Sequence, residues 1–175
     1  MSDPTLTAAI EEAFAVAPSN VVVYHTLEIN HVSFATPIRV VRDWNNLTAT
    51  LEATAPHDPG AAVLFAAYPF NIVPPEVTST AVPQCTIEID NVTREILAQI
   101  DAAIATPDLL TVIYRMFIST DLSGPQNNPP MALTANAITA DVFRIRMTAG
   151  FGDYANRRWP KEDYTSTRFP GLIQS

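Results

Sequence analysis

The sequence predicts a mainly β fold of the α+β type: an antiparallel β-sandwich or barrel with one or two short flanking helices. Short segments of alternating apolar and polar residues recur between turn signals, which is typical of strands. Two segments carry apolar residues at helical spacing instead. The end of the chain, 151–175, has aromatics and prolines without any periodicity. We therefore predict a single domain over residues 1–150, with an N-terminal helix, and an extended C-terminal arm over 151–175.

Length and composition restrict the class of protein. A chain of 175 residues suits one domain and is long enough to bury a real core. Charged residues make up only 16 %, and the 15 prolines outnumber the 5 glycines. No apolar run approaches the roughly 20 residues that span a bilayer. The N-terminus lacks the pattern of a secretory leader, and the lone cysteine cannot form an internal disulfide.

The first half of the chain predicts a helix followed by strands. The Asp3-Pro4 pair is typical of a helix start, and Pro18 of a helix end. Alternation predicts strands over 21–29, 38–42, 47–53 and 61–68, with a turn at 55–60. The stretch 69–83 contains four prolines, so we expect an extended loop or a sheet edge there.

The second half predicts strands around one further helix. Alternation over 84–90 turns Cys85 inward and Glu88 and Asp90 outward. Asp90-Asn91 is predicted to cap the helix that follows, whose apolar residues recur every four positions as Val92, Ile96, Ile100 and Ile104. Next come the strongest strand, 109–120, a loop over 124–130, and a last long strand near 138–147 in which Phe143, Ile145 and Met147 face inward.

No constellation of residues predicts catalysis. The G-x-S-x-G pattern of a nucleophile elbow is absent, and no spacing makes a triad of His25, Ser33 and Asp43. Cys85 is interpreted as a small buried hydrophobe. Glu88 and Asp90 share one strand face, whereas a glycosidase needs its carboxylates across a cleft. We predict that the protein is not an enzyme.

No cofactor or metal is expected either. The three histidines, His25, His31 and His57, do not have the tight or cysteine-containing spacings that zinc sites usually use. No glycine-rich phosphate loop occurs. Asn46 and Asn91 begin glycosylation sequons, which we interpret as chance matches in a chain without a secretory leader.

The charge is unevenly distributed. The net charge is −8, which argues against general nucleic-acid binding. Residues 1–143 hold 4 basic and 15 acidic side chains, whereas 144–175 hold 6 basic and 3 acidic. This asymmetry predicts head-to-tail contact between copies; the alternative is an arm folded over its own acidic body.

The basic end also contains aromatic residues. Arg157, Arg158, Trp159 and Lys161 form a cluster that suits stacking on single-stranded nucleic acid or a protein interface. The acidic body favours the protein interface. The predicted interface residues are Arg144, Arg146, Arg157, Arg158, Trp159, Lys161, Arg168 and Phe169.

Three stretches of the chain resemble a known family. They are Glu28-Ile29-Asn30-His31 with Thr36-Pro37-Ile38-Arg39-Val40-Val41; Tyr68-Pro69-Phe70 leading to the run over 85–96; and the terminal Arg168-Phe169-Pro170-Gly171-Leu172. The chain thereby resembles a family of minor tail proteins, a domain of unknown function encoded in the tail-tip gene clusters of long, non-contractile tailed phages. The likeness begins near residue 21, and no catalytic residues of the family can be carried over.

The resemblance implies a structural protein of the virion with a tail-tube-like fold. It would form a ring at the tail tip, between the tail tube and the hub or receptor-binding apparatus. The implied partners are copies of itself and other tail proteins, with the host cytoplasm as the place of assembly. An acidic lumen would let DNA pass without binding it. Two alternatives stay open: an assembly adaptor or chaperone absent from the virion, and a tip-associated cell-wall hydrolase.

Overall fold

The structure, a computed structural model, describes residues 6–16, 20–73, 84–90, 93–106, 108–141 and 143–151. These residues form two helices and nine strands, which confirms the predicted mainly β fold. The elements are α1 (Ala8–Val16), β1 (Val23–Asn30), β2 (Ile38–Val41), β3 (Leu47–Thr50), β4 (Ala62–Ala67), β5 (Phe70–Val73), β6 (Gln84–Asp90), α2 (Arg94–Ile104), β7 (Thr111–Ile118), β8 (Met131–Ala140) and β9 (Arg144–Gly150).

The nine strands form one open sheet in the order β3-β4-β2-β1-β7-β8-β9-β6-β5. All neighbouring pairs are antiparallel except β2 and β4, which pair in parallel over only two residue pairs. β1 and β7 lie side by side along the full length of both strands, with Val23 opposite Ile118 and Asn30 opposite Thr111. This central pair carries most of the side chains discussed below.

The two ends of the sheet are brought together by a short chain connection. β4 lies near one end of the strand order and β5 at the other, yet only Tyr68 and Pro69 separate them in sequence. The Tyr68 N–H donates to the Val41 carbonyl at 3.0 Å, and the Asp90 N–H donates to the Pro69 carbonyl at 2.9 Å. The sheet must therefore curl back on itself, which brings β5 close to β2 and β4.

The main core fills the concave interior of the curled sheet. Alternation turns Leu27 and Ile29 of β1 into it, and Ile100 of α2 packs over one end. The same cluster contains Val40 of β2 and Phe70 of β5, from opposite halves of the strand order. Burial of these side chains, each contributing about 1.5–3 kcal/mol, holds the curl closed.

A second core covers the outer face of β1 and β7. Val63 and Phe65 of β4 pack there with Leu47 of β3 and Phe117 of β7. The rings of Phe65 and Phe117 lie 5.9 Å apart at a tilted angle, a favourable arrangement for aromatic pairs. Both faces of β1 are thus buried over its middle, which alternation alone does not reveal.

Two boundaries differ from the sequence prediction. The last strand, predicted near 138–147, is two strands, β8 and β9, joined by a tight turn, with a register shift between Ala135 and Ala137. Phe143, predicted to face inward, lies in that turn with 71 % of its surface exposed. Ile145 and Met147 are fully buried as predicted. The apolar alternation runs on through the turn, so periodicity could not locate the chain reversal.

The second helix also begins later than predicted. Its N-cap is Thr93, whose side chain makes no capping hydrogen bond, and not the Asp90-Asn91 pair. Asp90 instead ends β6. Of the predicted apolar stripe, Ile100 is fully buried, whereas Ile104 is half exposed. Asp3-Pro4 and Pro18, the predicted limits of the first helix, lie outside the described residues. None of the helices described here is long and apolar enough to span a membrane.

Candidate functional site

A cavity of about 270 Å³ lies in the interior of the curled sheet, at the end away from α2. Strands from both halves of the sheet contribute to its walls. The lining residues are His25, Arg42, Phe70, Ile72, Cys85, Tyr114, Met131 and Leu133. An apolar chamber with a few converging polar groups is the common form of a binding site.

The polar side of this cavity is formed by His25 and Tyr114. Their Nδ1 and hydroxyl atoms lie 2.6 Å apart, and the two rings stack with centroids 6.0 Å apart. Burial, and secondarily the nearby charge of Arg42, lowers the pKa of His25. Burial raises the pKa of Tyr114 to about 12. Both groups are therefore neutral at pH 7, and one hydrogen bond joins the Tyr114 hydroxyl to Nδ1 of His25.

Cys85 lines the same cavity as His25, which raises the question of a cysteine nucleophile. Its side chain is 3 % exposed, as predicted for a buried hydrophobe. Burial raises the pKa of the Cys85 thiol, although hydrogen bonds with the backbone of Cys85 and Ala149 oppose the shift. A cysteine nucleophile needs a lowered thiol pKa and a charged histidine. Burial instead raises the pKa of Cys85 and lowers the pKa of His25, which favours a protonated thiol and an uncharged histidine.

A second, wider cavity of about 530 Å³ adjoins the first. Tyr114 and Met131 line both, so the two spaces form one groove along β7 and β8. The outer cavity is bounded by Leu6, Met116, Asn127, Pro129, Pro130, Ala132 and Phe151. We call the combined space the β7–β8 groove.

The loop over 124–130 forms one wall of this groove. Asn127 is buried, and its side-chain amide donates to the Tyr114 carbonyl at 3.1 Å while its Oδ1 accepts the Met116 N–H at 2.9 Å. The Asn127 side chain thus makes hydrogen bonds to the edge of β7, as a neighbouring strand would, beyond the point where β8 begins at Met131. Gln126 is also buried and bonds to Thr7 beside α1. The loop prediction is confirmed, and the loop is packed against the body.

The outer face of β1 carries a buried ionic network. Glu28 and Arg115 are fully buried, and Arg115 Nη1 lies 3.3 Å from Glu28 Oε2. Arg115 also binds Glu52 through two bonds of 2.8 Å. Arg39 donates to Glu28 at 3.0 Å and to Asp58 at 2.7 Å. The network fastens the loop after β3 to three strands of the sheet.

His31 has a structural environment instead of a metal or catalytic one. It is 2 % exposed, and its Nδ1 accepts the Ser33 N–H at 3.1 Å. Its Nε2 lies 3.1 Å from the Thr106 hydroxyl, which itself donates to the Ala103 carbonyl. His31 therefore joins the β1–β2 turn to the last turn of α2. Over the described residues, no three His, Cys, Asp or Glu side chains are grouped to hold a metal ion.

Two of the predicted interface residues bind carboxylates of their own chain. Arg144 Nε lies 2.5 Å from Asp90, and Arg146 Nη2 lies 2.6 Å from Glu88. Glu88 and Asp90 face outward, as the alternation of β6 predicted. The other six predicted interface residues, at 157–169, lie outside the described residues. With Arg144 and Arg146 already paired, the segment 152–175 keeps four basic and three acidic side chains.

Exposed apolar side chains gather at the two opposite ends of β7. At the end where β7 finishes, Val16 of α1 borders a surface pocket with Val21 and Ile118. Val16, Phe14 and Val22 are each at least half exposed; we call this the α1 end. At the end where β7 begins, Leu109, 67 % exposed, and Ile104 of α2, 45 % exposed, border one surface pocket; we call this the α2 end. Eight strand residues separate the two by roughly 26 Å.

The curled nine-stranded sheet with one late helix defines a small mainly β domain without a helical layer. The chain belongs to the family described as Domain of unknown function (DUF1833), whose model matches residues 9–164. No curated protein sequence matches the chain.

Proposed function

We propose that the protein is a structural minor tail protein that forms a ring at the tip of a phage tail. The observation that carries this proposal is the pair of different apolar surfaces at opposite ends of the domain. A closed ring or a stack of rings needs heterologous contacts, in which one surface meets a different surface of the next copy. The α1 end and the α2 end supply two such surfaces.

The exposed fractions of these apolar side chains support head-to-tail contact. Leu109 exposes 67 % of its surface, Val16 67 % and Phe14 55 %. Single exposed apolar residues are ordinary, but clusters at the ends of a domain are typical of protein contacts. Arg144 and Arg146 are already paired within the chain. Basic charge for a contact with another protein would therefore come from Arg157, Arg158, Lys161 and Arg168. We propose that these residues, with Trp159 and Phe169, reach a neighbouring tail protein.

The test uses phage particles assembled with variants of this chain. A phage lacking the gene is complemented with Leu109→Asp or Val16→Asp, and the purified particles are examined by electron microscopy and mass spectrometry. We expect the unaltered protein inside the particle and both variants unable to complete tails, because a buried aspartate at an interface is costly. Leu64→Asp is the matched control, since Leu64 of β4 is 59 % exposed and borders neither of the pockets at the two ends.

Three outcomes would contradict the proposal. Tails that assemble normally with both end variants would show that these surfaces are not contacts. Infectious particles that need the gene but lack the protein would favour the assembly adaptor. Tails that assemble and infect without residues 151–175 would leave the arm without a role in the ring.

A further inference from the structure

The cavity of about 270 Å³ that forms the inner part of the β7–β8 groove combines an apolar wall with groups that donate hydrogen bonds. We call it the inner cavity. Its apolar wall contains Phe70 and Ile72 of β5 and Leu133 of β8. An apolar cavity of about 150 Å³ is enough to bind benzene. The inner cavity therefore has room for one ring, or an aliphatic group of similar size, with a polar substituent.

Arg42 supplies a positive charge at the opening of the inner cavity. It follows Val40 of the main core by two positions, so alternation turns both side chains to the concave face of the sheet. The Arg42 N–H donates to the His25 carbonyl at 2.9 Å, which extends the pairing of β2 with β1 by one residue. Arg42 lines the cavity and is exposed, so its side chain lies at the boundary between the cavity and water.

The Arg42 guanidinium has no carboxylate partner among the described residues. The arginines that do form salt bridges there are Arg39, Arg115, Arg144 and Arg146. None of the described side chains that line the inner cavity is acidic. A cation beside an apolar wall favours an anion with an apolar body, and a guanidinium matches a carboxylate through two parallel hydrogen bonds.

The polar pair on the cavity wall adds a second donor. His25 Nδ1 and the Tyr114 hydroxyl share one hydrogen bond of 2.6 Å. A neutral histidine has one N–H and a tyrosine one O–H, so in either tautomer one of the two hydrogens remains for a further acceptor. Burial is the main influence on the pKa of both groups, and the charge of Arg42 is the second and lowers both pKa values. The guanidinium charge therefore lies close to the pair.

We propose that the inner cavity binds a small monocarboxylate with an aromatic or aliphatic body. The carboxylate pairs with Arg42 and accepts the remaining hydrogen of the His25–Tyr114 pair, while the apolar body contacts Ile72 and Leu133. This site goes beyond the proposed role in a phage tail. The pockets at the α1 end and the α2 end share none of its described lining residues.

Benzoate is the probe, and benzyl alcohol is its uncharged match of similar shape. Isothermal titration calorimetry with the full chain measures the affinity for each, and methyl NMR spectra locate the ligand. We expect benzoate to bind with a Kd of about 1 mM or tighter, which suits a ligand of this size. Benzyl alcohol should bind about tenfold more weakly or worse, because it lacks the charge. Benzoate should shift the methyl signals of Ile72 and Leu133 and leave those of Ile104 in place.

Arg42→Gln tests the contribution of the charge. Arg42 is exposed, so the change should leave the urea midpoint as it is. We expect the affinity for benzoate to fall about tenfold or more and the affinity for benzyl alcohol to stay the same. Arg94→Gln is the matched control, because Arg94 at the start of α2 is also exposed and does not line the inner cavity. It should bind benzoate as the unaltered chain does.

Several results would overturn the proposal. They are a lack of saturable benzoate binding, equal affinities for benzoate and benzyl alcohol, and an unchanged benzoate affinity in folded Arg42→Gln. Benzoate binding that shifts the signals of Ile104 but not those of Ile72 would also overturn it, since the ligand would lie elsewhere. All these measurements use the isolated chain, so their failure leaves the proposed function as it stands. Failure of the tail-assembly test would concern the proposed function alone.

Discussion

Arg115 Nη1 lies 3.3 Å from Glu28 Oε2, and both side chains are completely buried. The two residues are 87 positions apart in sequence and lie on adjacent strands, β7 and β1. The second oxygen of Glu28 has no hydrogen-bond partner within the described residues. A buried charge with incomplete pairing is tolerated only while its cation stays in place.

Replacement of Arg115 should therefore be strongly destabilising. We expect Arg115→Met to lower the free energy of unfolding by about 3–5 kcal/mol, because it removes both bonds to Glu52 and one of the two arginines that contact the buried Glu28. Urea unfolding at pH 7 measures the change. The double variant Arg115→Met with Glu28→Leu should lose less than Arg115→Met alone. If the double variant were less stable, the pair would be net stabilising and our account of its cost would be wrong.

The pair of Arg146 and Glu88 should contribute far less. The Arg146 side chain is 59 % exposed, and exposed ion pairs contribute about 0.2–1 kcal/mol. The charge swap Arg146→Glu with Glu88→Arg should keep the urea midpoint and still allow tails to assemble, because Arg146 is already paired within the chain. Failure of the swapped protein to assemble would show that Arg146 contacts a neighbour.

The lowered pKa of His25 makes folding depend on pH. Below its ordinary pKa of 6.5, the unfolded chain binds a proton that the folded chain resists, so stability falls as the pH is lowered from 7 through that value. His25→Gln should flatten this part of the pH profile measured by thermal unfolding. A slope that persists in His25→Gln would assign the pH dependence to other groups.

His31 should control the stability of the end of α2. His31→Ala removes the acceptor for the Ser33 N–H and the contact with Thr106, and it leaves a cavity where a buried ring was. We expect faster amide hydrogen exchange in the last turn of α2, measured by mass spectrometry, with β7 little changed. Uniformly faster exchange over the whole chain would show that His31 supports the fold globally and not this junction.

The sequence by itself determined the local elements and the orientation of their side chains. Alternation placed Cys85 inside and Glu88 and Asp90 outside, because successive strand residues point to opposite faces whatever the partner strand is. The same reasoning went wrong at Phe143, where an apolar pattern continued through a two-strand turn. Only the backbone conformation identifies Thr93 as the N-cap of α2, because several residues that can cap a helix occur close together there.

Only the tertiary structure decided which residues meet. Arg115 is the one charged residue of β7, and nothing local predicts that it is buried, because its burial requires β3 and β4 to fold over the outer face of β7. His25 and Tyr114 are separated by 89 positions and meet through the pairing of β1 with β7. The groove forms because the sheet curls, and curling depends on contacts between strands far apart in sequence, which a periodic pattern does not encode.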